Sequence, residues 1–266
     1  MRPTEERNPR AAGLSSRTTR QIIELMNDED ATVPRAVRAA LPAIERAVEA
    51  ITQAIASGGR VRYVGAGTSG RLGVLDASEW PPTFGVDGSI GRGIVAGGER
   101  ALRESIEGAE DDPAAGERDI RAEAAAGDVV VGISASGHAP YVRGALRAAR
   151  AFGARTVAVT CDPSSALASD AEIAIVVNVG PEILAGSSRL KAGTATKLVL
   201  NMLSTAAMVR LGRTRDDLMA DLRAVNAKLK ERAVRIVVAE ARVDEATARD
   251  RLERTGWDVR KAIALR

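Results

Sequence analysis

The sequence predicts an α/β fold, a parallel sheet sandwiched between helices, and three observations carry that reading. Short β-type runs alternate with helical patterns from about residue 61 to residue 178, an order that builds a parallel sheet covered on both faces. Two of those runs lead directly into turns of glycine and hydroxyl residues, Gly65-Ala-Gly-Thr-Ser-Gly-Arg71 and Ser134-Ala-Ser-Gly137. With 266 residues, 45% hydrophobic and 27% charged, the chain is long enough to bury a full α/β core with a small appendage.

The first 14 residues read as an arm, followed by a short helix near 18–27 and a longer one near 33–57, where Ile44, Val48, Ile51 and Ile55 recur at helical spacing. Strands are expected near 61–65, 91–96, 129–133, 156–160 and 172–178, with helices between them. Beyond the last strand the pattern turns helical, with one apolar helix near 194–211. A second is expected near 215–241, where Leu218, Leu222, Val225, Leu229 and Ile236 form one stripe. The tail, 243–266, reads as two short helices around Thr255-Gly-Trp-Asp258 and resembles a small ubiquitin-associated-like module. No linker sets it apart, so a docked appendage is expected. The organisation is then 1–57 for the arm and first helices, 58–212 for the sandwich, 213–241 for a long helix and 242–266 for the appendage.

The two turns carry the chemistry. The small residues after Val61-Arg-Tyr-Val64 let backbone approach a ligand, and Thr68 and Ser69 supply hydroxyls where the next helix begins. Helix N-termini favour anions. The second turn repeats the arrangement, with Ser134 and Ser136 ahead of a helical pattern that puts Tyr141, Val142, Leu146 and Ala149 on one face. Two helix starts can converge on one phosphate. The first turn also fits the dinucleotide fingerprint G-x-G-x-x-G, but the acidic residue that fingerprint needs about 20 positions on is offered only by Asp87 in a Gly-Val-Asp-Gly turn. Dinucleotide binding would also leave the second turn unexplained.

Other classes are disfavoured. A net charge of +3 and 2% aromatic residues give few platforms for stacking bases, so no nucleic-acid partner is expected. No apolar run approaches the roughly 18 residues of a membrane span, and the first residues lack a signal peptide's apolar core, so no membrane partner and a cytoplasmic location are expected. The single cysteine, Cys161, and the single histidine, His138, provide no ligand cluster of zinc spacing, so no metal is expected. Taken alone, Cys161 reads as a buried thiol and His138 as a loop residue. Read without further context, Glu110 in the acidic stretch 107–112 is a solvated carboxylate, and Glu79 before Trp80-Pro-Pro82 ends a helix.

A longer set of motifs changes that weighting. The block Gly65-Ala-Gly-Thr-Ser-Gly-Arg-Leu-Gly-Val-Leu-Asp-Ala-Ser-Glu79, with Pro81-Pro-Thr-Phe-Gly85, Glu107-Gly-Ala-Glu-Asp111 and Ser187-Ser-Arg-Leu-Lys-Ala-Gly-Thr194, resembles the N-acetylmuramic acid 6-phosphate etherases of the sugar isomerase (SIS) fold group. The resemblance extends to Asn27-Asp-Glu-Asp30 and Val225-Asn-Ala-Lys-Leu229, and so covers most of the chain. It implies a cofactor-independent lyase that removes D-lactate from the 3-position of the muramic sugar phosphate, leaving N-acetylglucosamine 6-phosphate, in peptidoglycan recycling. Carried over residue by residue, it implies Glu79 as proton donor to the leaving oxygen and Glu110 as the C2 base, with exchange of the two roles left open. Thr68, Ser69, Ser136 and Gly137 are implied as phosphate and sugar contacts, with Ser187, Ser188 and Lys191 behind them and Glu182 as a lesser polar contact.

The chemistry suits these residue types, because the C2 proton becomes acidic once the opened sugar presents its aldehyde, while the departing alkoxide needs a proton. The chain departs from the family in four places. His138 and Ala139 stand where Arg and Thr are common, Trp80 replaces a usual Cys, Ala185 a usual Thr, and the tail is shorter. Members of the family pair their subunits, and the apolar helices between 194 and 241 predict a homodimer with sites near the interface. Two alternatives stay open: a non-catalytic sugar-phosphate sensor like the related glucokinase regulatory protein, and an aldose–ketose isomerase of the same fold group.

Overall fold

The computed structural model describes residues 3–219, 221–222, 224 and 226–265. The arm, 3–17, makes three single turns of 3-10 helix, and its Thr4 and Asn8 are buried, Asn8 against Glu29 and Pro181. Helix α1, Thr19–Asp30, starts at a reciprocal capping box between Thr18 and Gln21. The single helix expected over 33–57 is two, α2 (Val33–Ala39) and α3 (Leu41–Ala56). Pro42 is the reason: it has no N–H and its ring excludes the preceding turn, so the chain bends at Ala40 and restarts.

Five strands follow at the expected places: β1 Val61–Gly65, β2 Gly91–Val95, β3 Val129–Ile133, β4 Arg155–Thr160 and β5 Ile173–Val176. All pair in parallel, in the order β2-β1-β3-β4-β5. The connecting helices are α4 (Gly67–Ser78) and α5 (Trp80–Phe84) after β1, α6 (Pro113–Glu123) after β2, α7 (Pro140–Ala151) after β3 and α8 (Ala166–Asp170) after β4. The long helix α9, Lys191–Arg210, follows β5.

Strand alternation sorts the core into two layers. Val61, Tyr63, Val129, Val131, Ile133, Val157, Val159, Ile173 and Ile175 join one apolar layer with residues of α2, α3 and α9, including Val37, Ile51, Leu200 and Leu203. Val64, Val130 and Ala158 join the other with Ile120 of α6 and Tyr141, Val142 and Leu146 of α7. Each large side chain buried in these layers contributes roughly 1.5–3 kcal/mol. No helix in the described residues is long and apolar enough to cross a membrane.

The C-terminal region departs from expectation. The helix predicted over 215–241 occupies only α10, Ala227–Ala241. Arg215 and Leu218 instead form an antiparallel bridge around a turn with Asp216 at φ 49°. Asn226 is extended, and its side chain accepts from the Leu229 N–H, so the helix is capped and begins one residue later. Leu222 therefore reaches its apolar neighbours from outside a helix; Val225 of the same stripe lies outside the described residues. Helices α11 (Glu245–Arg254) and α12 (Val259–Ala264) pack with α10 around Leu229, Val237, Leu252 and Val259. The three helices thus share one apolar cluster, and Arg260 docks the last of them through Asp221 and the Gly212 carbonyl.

Candidate active site

Strand order locates the site. The chain leaves β1 toward β2 on one side and leaves β3 toward β4 on the other, so the carboxyl ends of these neighbouring strands flank a crevice where such sheets bind ligands. Gly65 stands opposite Ile133 in the register, which brings the 66–69 and 134–137 turns out of the sheet side by side. A Cβ on Gly65 would stand 2.6 Å from the Gly70 nitrogen, and one on Gly70 would stand 2.6 Å from the Gly65 carbonyl oxygen. The glycines of the first turn thus serve a close strand-to-helix approach.

The two helices that begin there are open at their N-termini. Neither α4, entered from Ala66, nor α7, entered from Ala139 with Pro140 at its start, carries a side-chain cap. By contrast α8, the next helix along the same sheet edge, is capped by Ser165. Free N–H groups and the positive helix end favour an anion at the two uncapped starts. Thr68 and Ser69 are half-buried in the first turn of α4, and their hydroxyls bond no other described residue. Ser136 Oγ accepts from the His138 N–H at 3.4 Å, which leaves the hydroxyl hydrogen for a ligand. Ser134 closes the turn, accepting the Gly137 N–H at its Oγ (3.1 Å). Gly137 has φ 67°, and a Cβ there would fall 1.8 Å from Ser165 Oγ, so no other residue fits.

The other predicted contacts fall into two groups. Ser187 and Ser188 are half-buried in the loop before α9. The Ser188 carbonyl and the Thr68 methyl each come within 3.7 Å of the place a Gly193 Cβ would take, so this loop meets the first turn. Lys191 is placed differently, with only 4% of its surface exposed and its Nζ donating to Glu29 Oε2 at 2.6 Å. Asn8 and Arg10 also donate to Glu29, at 2.8 and 2.9 Å. Burial works against that carboxylate, but the bonds from Lys191 and Asn8 and the charges of Lys191 and Arg10 hold it below its usual range. The amine expected to meet a phosphate is thus occupied by an ion pair. Glu182 likewise turns inward and accepts the N–H groups of Lys191 (3.0 Å) and Ala192 (2.9 Å), closing the start of α9. Burial pushes its carboxyl up.

One chain does not bring the two carboxylates together. Glu110 is exposed on a 3-10 turn, Ala109–Asp111, and lines a cavity of ≈ 260 Å³ with Ala66, Gly67 and Arg71 beside the first turn. Glu79 follows the last residue of α4, and twelve residues of helix at 1.5 Å each put it about 18 Å along the axis from that turn. It too is exposed. Leu75, one turn earlier on α4, leaves 45% of its surface in water.

Two positioning residues were not singled out from the sequence, although both lie inside the motif block. Arg71 donates to the carbonyls of Ala101 (2.9 Å) and Glu104 (2.7 Å), pinning to α4 the loop that leads to Glu110. Asp76 is buried and accepts from Tyr63 Oη, Trp80 Nε1 and Ser204 Oγ at 3.0, 3.0 and 3.1 Å. Burial raises its carboxyl against those bonds and the charge of Lys197. Trp80, the residue after Glu79, thereby fixes the corner from which Glu79 projects.

Comparison with known proteins bears on the family and the fold. Residues 43–150 match the family described as "Glucokinase regulatory protein N-terminal SIS domain", and residues 111–206 match "SIS domain". A protein of Pectobacterium atrosepticum named N-acetylmuramic acid 6-phosphate etherase is 52% identical over 98% of this chain and 87% of its own length. One of the same name from Serratia proteamaculans is 51% identical over 98% of this chain and 89% of its own. Among solved structures, a phosphoheptose isomerase from Neisseria gonorrhoeae superposes with a TM-score of 0.53 at 19% identity, covering 71% of this chain and 98% of the isomerase. That likeness establishes the fold alone, whereas identity above one half along almost the whole sequence establishes the family: this chain belongs to the N-acetylmuramic acid 6-phosphate etherases.

Proposed function

We propose that the protein is a lyase that cleaves the D-lactyl ether of N-acetylmuramic acid 6-phosphate, yielding N-acetylglucosamine 6-phosphate and D-lactate. The observation that carries the reading is the pair of uncapped helix starts at the switch point of the sheet, with Glu110 lining the adjoining cavity. The N–H groups of α4 and α7, with the hydroxyls of Thr68, Ser69 and Ser136, bind the 6-phosphate. Ser187 and Ser188 contact the sugar, and Lys191 supports that loop through Glu29. Phosphate binding remote from the reacting carbons holds C2 and C3 in place.

With the sugar ring open, Glu110 takes the C2 proton, the C3–O bond breaks, and the lactyl oxygen receives a proton from Glu79. A C2–C3 double bond results. Water then adds its hydroxyl to C3 and a proton to C2, so the overall change is hydrolysis of one ether with no redox step. Because Glu79 stands at the far end of α4 from the turns, we place the catalytic pair across a homodimer: Glu110 of one copy with Glu79 of its partner, and the exposed Leu75 at the contact. An isolated sensor would have no use for such a pair.

The direct test is incubation with N-acetylmuramic acid 6-phosphate and assay of D-lactate. Release of D-lactate with N-acetylglucosamine 6-phosphate is expected, and an intact substrate would overturn the assignment. Light scattering at micromolar concentration is expected to give twice the chain mass.

A further inference from the structure

Between β5, which ends at Val176, and α9, which begins at Lys191, the chain runs through residues 177–190 without helix or strand. Ser187 and Ser188 stand in this loop. Around them its internal backbone bonds are short-range, from Ser187 N–H to the Leu184 carbonyl, from Ser188 N–H to Gly186 and from Leu190 N–H to Ser187. Bonds of this kind shape a turn, and the placement of the turn is fixed from outside it.

The N-terminal arm supplies that placement. Asn8 is buried, and its Oδ1 accepts the Arg10 N–H (2.9 Å) while its Nδ2 donates both to Glu29 Oε2 (2.8 Å) and to the Pro181 carbonyl (3.2 Å). Both N–H groups of the amide are thus used. Four residues earlier, Thr4 is only 2% exposed, and its carbonyl accepts the Gly186 N–H at 2.9 Å. Gly186 has φ 78°, and a Cβ there would stand 3.2 Å from Glu5 Oε2, so glycine lets the loop lie against the arm. Glu29, the other partner of Asn8, pairs with Lys191 at 2.6 Å, where the loop ends. The loop is held at residues 181, 186 and 191.

The end of the loop that is held is the end that meets the site. The Ser188 carbonyl and the Thr68 methyl each come within 3.7 Å of the place a Gly193 Cβ would take. An irregular loop that had to be ordered at each binding event would take its lost entropy from the affinity for the ligand. Clamped beforehand, it does not.

We infer that the N-terminal arm positions the substrate loop, with Asn8 as the positioning residue, so that the arm sets the affinity for the sugar portion of the substrate by acting through Ser187 and Ser188. The inference rests on the reading of those two serines as sugar contacts.

The test is the steady-state release of D-lactate from N-acetylmuramic acid 6-phosphate, with inorganic phosphate as competing inhibitor. It compares the unaltered protein with Asn8→Ser, with Ser187→Ala plus Ser188→Ala, with all three changes together, and with Thr18→Ala. Serine keeps an oxygen to cap the Arg10 N–H and lacks the amide N–H groups that bridge Glu29 and Pro181. Asn8→Ser is expected to raise KM about tenfold, the worth of the neutral bonds a displaced loop loses. The kcat is expected to hold, and so is the inhibition constant of inorganic phosphate, which needs the two turns alone. Added to the alanine pair, Asn8→Ser is expected to raise KM by about twofold at most, because residues that act through one loop are not additive. Thr18→Ala uncaps α1 at the opposite end from Glu29, and is expected to lower the melting temperature without moving KM. The proposal is overturned by a KM that follows the melting temperature in both variants, by a phosphate constant that rises with KM in Asn8→Ser, or by a full tenfold effect of Asn8→Ser on top of the alanine pair. Amide exchange in the unaltered protein decides the case without any variant. Saturating N-acetylglucosamine 6-phosphate is expected to slow exchange in the arm, 3–11, together with the loop, 184–192, because coupling between the two is reciprocal. Protection of the loop without the arm overturns the proposal. An unchanged KM in the alanine pair would instead remove the loop from the sugar, and absence of lactate release from the unaltered protein would overturn the etherase reading.

Discussion

At the phosphate end, every proposed contact comes from one chain: adjacent strands deliver two uncapped helix starts, and Ser134, Gly137 and Ser165 lock the second turn in place. At the carboxylate end, Glu110 lies beside the first turn, while Glu79 stands a whole helix away, and both are exposed. The difference teaches which part of the site folding alone supplies. On the proposed reading, binding geometry is preorganised within the chain, and the chemical pair is left for association to complete.

The largest expected effects concern the carboxylates. Glu79→Gln and Glu110→Gln are each expected to lower kcat about 10²–10⁴-fold with little change in KM. The two losses are expected to differ in kind. Glu110→Gln abolishes exchange of the substrate C2 proton with deuterated water, whereas Glu79→Gln permits exchange while blocking lactate release; the opposite pattern reverses the roles.

The phosphate end is expected to respond in KM. Ser69→Ala combined with Ser136→Ala removes two hydroxyl bonds to a charged group and is expected to raise KM about 100-fold or more, with the melting temperature unchanged. An unchanged KM would remove the turns from the site.

Glu29→Gln leaves Lys191 buried without its counter-charge and is expected to cost about 3 kcal/mol at pH 7, a fall in Tm of about 6–12 °C. The folded carboxyl lies below its ordinary value of 4.5, so its contribution is present above that value and fades as pH falls through the lower folded one. The Tm gap between variant and parent therefore narrows in acid. The smallest effect is Ser165→Ala, the cap of α8: about 1 kcal/mol of stability is lost, with KM changed far less than by Ser136→Ala. A large rise in KM here would blur the distinction between capped and open helix starts.

The strands and both turns were legible because they depend on local patterns: Val61-Arg-Tyr-Val64 and Asp128-Val-Val-Val131 can only be buried strands when glycine and serine turns follow them. Helix limits are set by prolines and caps more than by apolar spacing. Pro42 splits α2 from α3, and Asn226 starts α10 where the apolar stripe suggested a helix twelve residues earlier. Within the candidate site, the hydroxyl-rich turns are legible in the sequence and the ion pairs are not. Lys191 meets Glu29 across 162 positions and Asp76 meets Ser204 across 128, and no spacing rule connects residues so far apart. Lys191 reads as a free amine in the sequence because burial and partners are properties of the packed chain.

The central claim, that Glu79 and Glu110 act from different copies, is tested most directly by mixing Glu79→Gln with Glu110→Gln at equal concentration under conditions that let subunits exchange. If each site takes one carboxylate from each copy, half the dimers are mixed and each mixed dimer holds one intact site of two, so D-lactate release returns to about a quarter of the unaltered rate. If both carboxylates of a site come from one chain, every site keeps a lesion, and the mixture stays as inactive as its parts.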